Sequence, residues 1–194
     1  MTEPPIGRRI GRRIAVYGPS GSGKTTIGRQ LGELFDLPVV ELDAIHHLSN
    51  WQERPADEFH SIVTSTLDGY EDGWVCDGNY GGVRELVLAR AETVVWLLLP
   101  FRIVYWRLLT RTLVRSLRRE ELWNGNRESF RMAFFSRESI LLWGITHWRA
   151  HRRNVERDLV RYDHTDDLRV LRSTREVETF VAELVAGRNA EDRS

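Results

Sequence analysis

The run Gly18-Pro19-Ser20-Gly21-Ser22-Gly23-Lys24-Thr25 constrains this chain more than any other stretch, because it satisfies the pattern G-x-x-x-x-G-K-[ST] in full. Ahead of it, Ile14 to Tyr17 is a short apolar run with the composition of a strand. Behind it, Ile27, Leu31, Leu34 and Phe35 fall at i, i+4, i+7 and i+8, one face of a helix that ends near Asp36-Leu37-Pro38. A strand, a glycine turn and a helix in that order make a phosphate cradle. The glycines let successive backbone N–H groups turn inward around phosphate oxygens, and the positive end of the helix adds to the attraction. The expected contacts are Gly18, Ser20, Gly21, Ser22, Gly23, Lys24, Thr25 and Thr26, with Lys24 on the β- and γ-phosphates of ATP and the Thr25 hydroxyl on Mg2+. Lys24 is the only lysine in the chain, every other basic residue of the Lys/Arg pair being arginine. A lysine kept only here points to a compact ammonium where a planar guanidinium would not fit.

The same alternation continues downstream. Val39 to Leu42 reads as a second strand, Pro55 opens a helix with Phe59, Ile62, Val63 and Leu67 on one face, and Trp74-Val75-Cys76 is a third strand. Thr93 to Leu99 is a fourth, stopped by Pro100, and Leu168 to Leu171 a fifth. Ser173 and Glu176 have capping-box spacing ahead of a closing amphipathic helix with Val177, Phe180, Val181 and Leu184. Strands alternating with helices imply an α/β domain of three layers, a P-loop NTPase fold whose five parallel strands are covered on both faces. The stretch of about 102–162 contains no strand and is expected to be a helical lid inserted between the fourth and fifth strands. The whole is expected to be one domain over 13–188, with 1–12 a flexible tail and 189–194 a second tail.

Net charge is zero, which gives no global field toward nucleic acid or anionic membrane. Cys76 is alone, so no disulfide forms within the chain, and a reducing, cytoplasmic setting is expected. The most apolar segment, Thr93 to Leu109, is interrupted by Pro100, Arg102 and Arg107, so no membrane span is expected.

In open parallel sheets ligands bind beyond the carboxyl ends of the strands. Asp77, just after the third strand, is placed to hold the magnesium shell together with Thr25. Asp43, read as the end of the second strand, would accept the acceptor's proton or bind its hydroxyl, and the period of two puts Glu41 on the same side. Aspartate in such places also serves as a turn or cap residue. His46 and His47 have no metal-ligand spacing with other His or Cys and are assigned to an acceptor pocket or the surface. Arg107, Arg111 and Arg115 recur every four residues on one helix face, with Arg118 and Arg119 continuing the charge. Such a face either clamps a transferring phosphoryl group or is a solvated face paired with Glu120, Glu121 and Glu128. Trp123-Asn124-Gly125-Asn126-Arg127 breaks the helical pattern as a hinge or lid tip would, and the aromatic residues from Phe130 to Trp148 read as core.

GPSGSGKT, ELDAIHH, WVCDGNY, TVVWLLLP and REELWNGNRESF, in that order, resemble the nucleoside-monophosphate kinase group of P-loop proteins. Within it they look most like the small topology modulation proteins, often labelled adenylate kinase-like. The resemblance runs from Arg13 to about Leu184. It implies a sheet flanked by helices, ATP and magnesium binding and a mobile arginine-bearing lid. With the residue readings above, the expected activity is transfer of the γ-phosphoryl group to a small acceptor such as a nucleoside monophosphate, with Lys24, Asp43, Asp77, Arg107 and Arg111 as the expected catalytic residues. Asp77-Gly78 is similar to the Asp-Gly after the third strand of adenylate kinase, but Asn79-Tyr80 replaces the Phe-Pro-Arg that follows there, and Arg84 stands in for the lost arginine. With Asp43 and His46 it completes the expected acceptor set. The nucleotide-binding helix of adenylate kinase has no counterpart between Val39 and Gly69, and Glu41-Leu42-Asp43 is similar instead to the acidic pair of shikimate-type kinases, which hold a hydroxylated metabolite. A small hydroxylated-metabolite kinase of shikimate or gluconate type is therefore the alternative. A nucleotide-dependent regulator of DNA topology is a third reading, against which zero charge and the absence of a helix-turn-helix signal weigh. No Asn-Lys-x-Asp guanine-reading motif is present, since the only lysine is Lys24.

Overall fold

A computed structural model describes residues 10–118, 121–126, 152–162, 164 and 167–191. At the centre lies β1 (Arg13–Tyr17), in which Ile14, Ala15, Val16 and Tyr17 are all buried. A strand covered on both faces reads as a continuous apolar run rather than an alternation, which is why this segment is so legible. It pairs with β3 (Trp74–Asp77) on one side and β4 (Thr93–Leu97) on the other. The edges are β2 (Val39–Glu41) and β5 (Leu168–Leu171), giving the order β2-β3-β1-β4-β5 with every pair parallel. The expected five-stranded parallel sheet is present.

Its two faces carry separate cores. Ala15, Tyr17, Val40, Trp74, Cys76, Val94 and Trp96 point to one side, under α3 (Ala56–Asp68), α4 (Gly81–Leu88) and a helix over residues 152–161. Ile14, Val16, Val75, Val95 and Leu97 point to the other, under α1 (Lys24–Phe35) and the closing helix Thr174–Glu191. The alternation along β1 is the two-residue period of a strand. Each such Val, Leu or Ile removed from water contributes about 1.5–3 kcal/mol, so the sheet is held by both layers.

Two internal segments differ from the sequence expectation. β2 stops at Glu41, and Leu42–His46 form a short helix, α2. Asp43 therefore sits in the first turn of a helix, not at a strand end, and the two-residue period does not relate it to Glu41. The cause is Leu42, 1% exposed, which the chain turns inward against Gly78. Helix α4 opens on Gly81-Gly82, which hid it from a propensity reading; burial of Val83, Leu86 and Val87 outweighs the glycines' poor helix preference.

The ends also differ. Gly11 N–H donates to Thr93 Oγ1 at 3.0 Å, Arg12 N–H to Glu92 Oε2 at 2.7 Å, and Ile10 packs on the core, so residues 10–12 are tied to the sheet. The closing helix continues to Glu191, past the expected boundary at 188. Its capping box forms as read, with Glu176 N–H on Ser173 Oγ at 3.1 Å and the Glu176 carboxylate accepting from Arg172 N–H at 2.9 Å.

The inserted stretch starts with α5 (Phe101–Arg118), whose Val104, Leu108 and Thr112 are buried, and the 152–161 helix adds Val155 and Leu159 to the core. Both ends of the expected lid thus belong to the body of the domain. Arg119, Glu120, Arg127, Glu128, the aromatic run Phe130 to Trp148, and tail residues 1–9 and 192–194 lie outside the described residues. Among the described residues no helix is long and apolar enough to cross a membrane.

Candidate active site

The carboxyl ends of β1, β3 and β2 lie on one edge of the sheet, and they place the glycine loop with Lys24 and Thr25, then Asp77, and the α2 segment with Asp43. The turn after β1 is built on Gly18, Gly21 and Gly23, with φ of 154°, 86° and 100°. Gly21 also permits a close approach: a Cβ there would lie 2.6 Å from the Val104 carbonyl oxygen of α5. Gly23 caps α1 without any side-chain hydrogen bond, and no acidic residue occupies the first turn. The orphan N–H groups and positive dipole of a twelve-residue helix are thus left to face an anion. Lys24 Nζ donates to the Pro19 carbonyl at 3.2 Å, which folds the ammonium back over the loop.

Asp77 ends β3 and faces this loop. Thr25 Oγ1 donates to Asp77 Oδ2 at 2.6 Å, while Asp77 Oδ1 is buried and accepts no hydrogen bond among the described residues. Burial raises the carboxyl above its ordinary range, opposed by the Lys24 charge and the Thr25 hydrogen bond. A buried carboxylate oxygen without a donor is costly unless something cationic meets it. A hydroxyl that donates its proton to a carboxylate keeps its lone pairs for the same cation. One carboxylate plus one hydroxyl, completed by water and phosphate, is the donor set magnesium takes, so the residues fit that ion.

Asp43 is held from the other side. Tyr80, which caps α4, donates its hydroxyl to Asp43 Oδ1 at 2.6 Å and lies 3.4 Å from His47 Nε2. Burial first, then the Asp43 charge, push the Tyr80 phenol far above its ordinary value, so it remains a proton donor. The His46 ring packs on Tyr80 and Phe59 at centroid distances of 4.4 and 5.0 Å. His47 is pushed below its ordinary value by burial and by His46, and is uncharged at neutral pH. Asp43 Oδ2 carries no hydrogen bond among the described residues. The Asp43 and Glu41 charges add a smaller upward push on the Asp77 carboxyl.

Other expected residues are occupied differently. Glu41, the register partner of Asp77, does not back Asp43: it accepts from Arg29 at 2.7 Å through Oε1 and from the Trp123 indole at 2.9 Å through Oε2. Arg84, expected at the acceptor, donates to Asn79 Oδ1 at 2.7 Å and to Asp158 Oδ2 at 2.5 Å, a largely buried bridge from α4 to the 152–161 helix. Arg107, Arg111 and Arg115 do share one face of α5 and line a shallow concavity with Thr110 and Val114. Arg107 donates to Thr174 Oγ1 at 3.0 Å. Sequence reasoning assigned no role to Tyr80, although its place two residues after Asp77-Gly78 was the available signal. No group of three His, Cys, Asp or Glu side chains is gathered as a metal cage among the described residues.

Gly78 controls how α2 sits against this pocket. It has φ of 144°, and a Cβ there would lie 2.7 Å from Leu42 Cβ, next to Asp43 in the chain. Gly78→Ala is expected to displace α2, to lower stability by about 1–3 kcal/mol as overpacking does, and to lower turnover while ATP affinity holds. Urea unfolding and calorimetric titration with ATP check both halves.

No protein-family model matches the chain. A shikimate kinase of Novosphingobium aromaticivorans is 53% identical over 38 residues, 20% of this chain and 20% of that protein, so the chain matches about a fifth of this relative's length. Among solved structures, a gluconokinase from Sinorhizobium meliloti 1021 superposes with a TM-score of 0.53 at 18% identity, covering 94% of both chains. A shikimate kinase from Acinetobacter baumannii in complex with shikimate gives 0.49 at 15% identity, covering 91% of this chain and 94% of that one. With nearly the whole of both chains superposed, the protein has the fold of a gluconokinase.

Proposed function

We propose that this protein is an ATP- and magnesium-dependent phosphotransferase whose acceptor is a small hydroxylated metabolite. The observation that carries the reading is the meeting, on one sheet edge, of a phosphate loop with its Lys24 and the Thr25–Asp77 pair, and of a carboxylate, Asp43, held among the described residues on Oδ1 alone. The likeness to a gluconokinase fold and the short match to a shikimate kinase support it. In this reading the loop's N–H groups and Lys24 bind the nucleotide phosphates, and Thr25 and Asp77 are the residues that would hold magnesium. The ion, when bound, supplies charge neutralisation of the β- and γ-phosphate oxygens. Asp43 Oδ2 accepts the proton of the acceptor hydroxyl while Tyr80 fixes Oδ1, so the base is oriented before the acceptor arrives.

Asp43 is what favours a hydroxyl over the phosphate of a nucleoside monophosphate. A hydroxyl must lose its proton to become a nucleophile; a phosphate oxygen is already anionic and needs cations around it. Arg84, the residue expected to meet such a phosphate, spends its guanidinium on Asp158 and Asn79. The test is ADP release over two compound sets, nucleoside monophosphates against sugars, polyols and hydroxy acids. Turnover is expected in the second set. Fast turnover with AMP and none with any hydroxyl compound rejects the reading.

A further inference from the structure

The turn Trp123–Gly125 with the following Asn126, expected as a hinge or lid tip, is hydrogen-bonded across the chain to the segment that carries Asp43. Asn124 Nδ2 donates to the Ala44 carbonyl at 3.2 Å and to the His47 carbonyl at 2.5 Å. Asn126, 2% exposed, donates from Nδ2 to the Leu48 carbonyl at 2.8 Å and accepts at Oδ1 from Trp51 N–H at 2.8 Å. Ser49 Oγ returns a bond to the Asn124 carbonyl at 3.1 Å, and the Trp123 indole reaches Glu41 at 2.9 Å. Every one of these joins residues at least 75 positions apart.

The segment so held closes on itself at its base, where Leu48 N–H donates to the Gln52 carbonyl at 2.8 Å and Arg54 N–H to the His46 carbonyl at 2.9 Å, but its tip is strained. α2 has five residues, and the turn after it places Asn50 and Trp51 at φ of 59° and 57°. A bulky residue in that left-handed region persists only when its surroundings hold it there. Among its partners are Asn126, through the Trp51 amide, and His47, against the Trp51 ring. Asn124 is itself left-handed at φ of 56°, a conformation asparagine tolerates, and from it one amide group reaches two carbonyls of the acceptor segment.

We propose that the Trp123–Asn126 turn is the positioning element of the acceptor site: it holds Asp43, His46 and His47 in place for the acceptor and has no part in holding the nucleotide. This rests on the phosphotransferase reading. Among the described residues, none of the turn's hydrogen bonds goes to the phosphate loop, to Lys24 or to Asp77, and Glu41 is what connects it to that end of the sheet. The turn therefore acts on acceptor turnover through the 44–51 backbone.

The informative variant is Asn124→Gly, because glycine keeps the left-handed turn and removes only the two donors. Asn126→Ala is the stronger second variant. In both, kcat/KM for the acceptor found by the ADP-release screen is expected to fall about tenfold or more, the scale of lost buried hydrogen bonds. The Kd for ATP–magnesium stays within about twofold, and amide exchange quickens over residues 44–53. Asn124→Ser, which restores a short polar side chain, is expected to recover part of the loss. Acceptor kcat/KM within about twofold of the parent in Asn124→Gly overturns the proposal, as does a matching loss of ATP affinity. If the parent phosphorylates no compound, the phosphotransferase reading fails by itself. The turn is then judged on exchange and ATP affinity: quickened exchange at 44–53 with ATP affinity kept supports it, and unchanged protection overturns it.

Discussion

Lys24→Ala is expected to abolish measurable ATP–magnesium binding and to lower turnover on the order of a thousandfold, the upper range for deleting one preorganised charge contact at a transferring group. Two losses combine in that variant. The ammonium that folds over the loop at the Pro19 carbonyl is gone, and with it the positive charge that opposes the burial of Asp77. Without that charge nothing but the Thr25 hydrogen bond opposes the upward push of burial on the Asp77 carboxyl. Lys24→Arg is not expected to rescue. The glycine turn leaves room for a compact ammonium, and the other basic residues that this chain uses for positive charge elsewhere are planar guanidinium groups. Calorimetric titration with ATP–magnesium is the measurement, with the unfolding midpoint as the check that the fold is intact. Binding as tight in Lys24→Ala as in the parent would remove the nucleotide site from the phosphate loop.

The sheet was legible in the sequence because a parallel strand buried on both faces leaves an unbroken apolar run, as in Ile14 to Tyr17 and Thr93 to Leu97. The phosphate loop was legible because its chemistry is local: glycines, a lysine and a threonine act within eight consecutive positions. What was not legible is made by contacts distant in sequence. The five residues of α2 are too few for a helical period to show, and their neighbours Val39 and Val40 continue the strand pattern into them. That placed Asp43 at a strand end and paired it with Glu41, whereas the fold pairs Asp43 with Tyr80 and Glu41 with Arg29 and Trp123. Arg84 had the charge of an acceptor residue, but its partner Asp158 lies 74 positions away and could not be read from spacing. Asparagine and glycine in Trp123 to Asn126 signal a turn correctly; that the turn docks on residues 44–51 depends on amide groups meeting carbonyls across the fold.

Asp43→Asn separates the two acceptor chemistries most sharply. Asparagine is nearly isosteric with aspartate, and its carbonyl oxygen can still accept the Tyr80 hydroxyl that now lies 2.6 Å from Oδ1, so α2 and the aromatic packing of His46 on Tyr80 and Phe59 are expected to stay. What is removed is the capacity to take a proton at Oδ2. If the acceptor is a hydroxyl, kcat falls by about 10²–10⁴, the range for general base catalysis, while ATP–magnesium affinity stays within about twofold. Tyr80→Phe, which leaves the carboxylate but loosens it, falls less, by about tenfold, as for one hydrogen bond to a charged group. If the acceptor is instead an anionic phosphate, the sign changes: Asp43 is then a repelling charge beside Asp77, and neutralising it leaves the rate unchanged or raises it. Single-turnover phosphoryl transfer with saturating ATP is the measurement, because it reports the chemical step free of product release. A rate in Asp43→Asn within about threefold of the parent, with ATP affinity intact, sinks the assignment of Asp43 as the base and with it the preference for a hydroxyl acceptor.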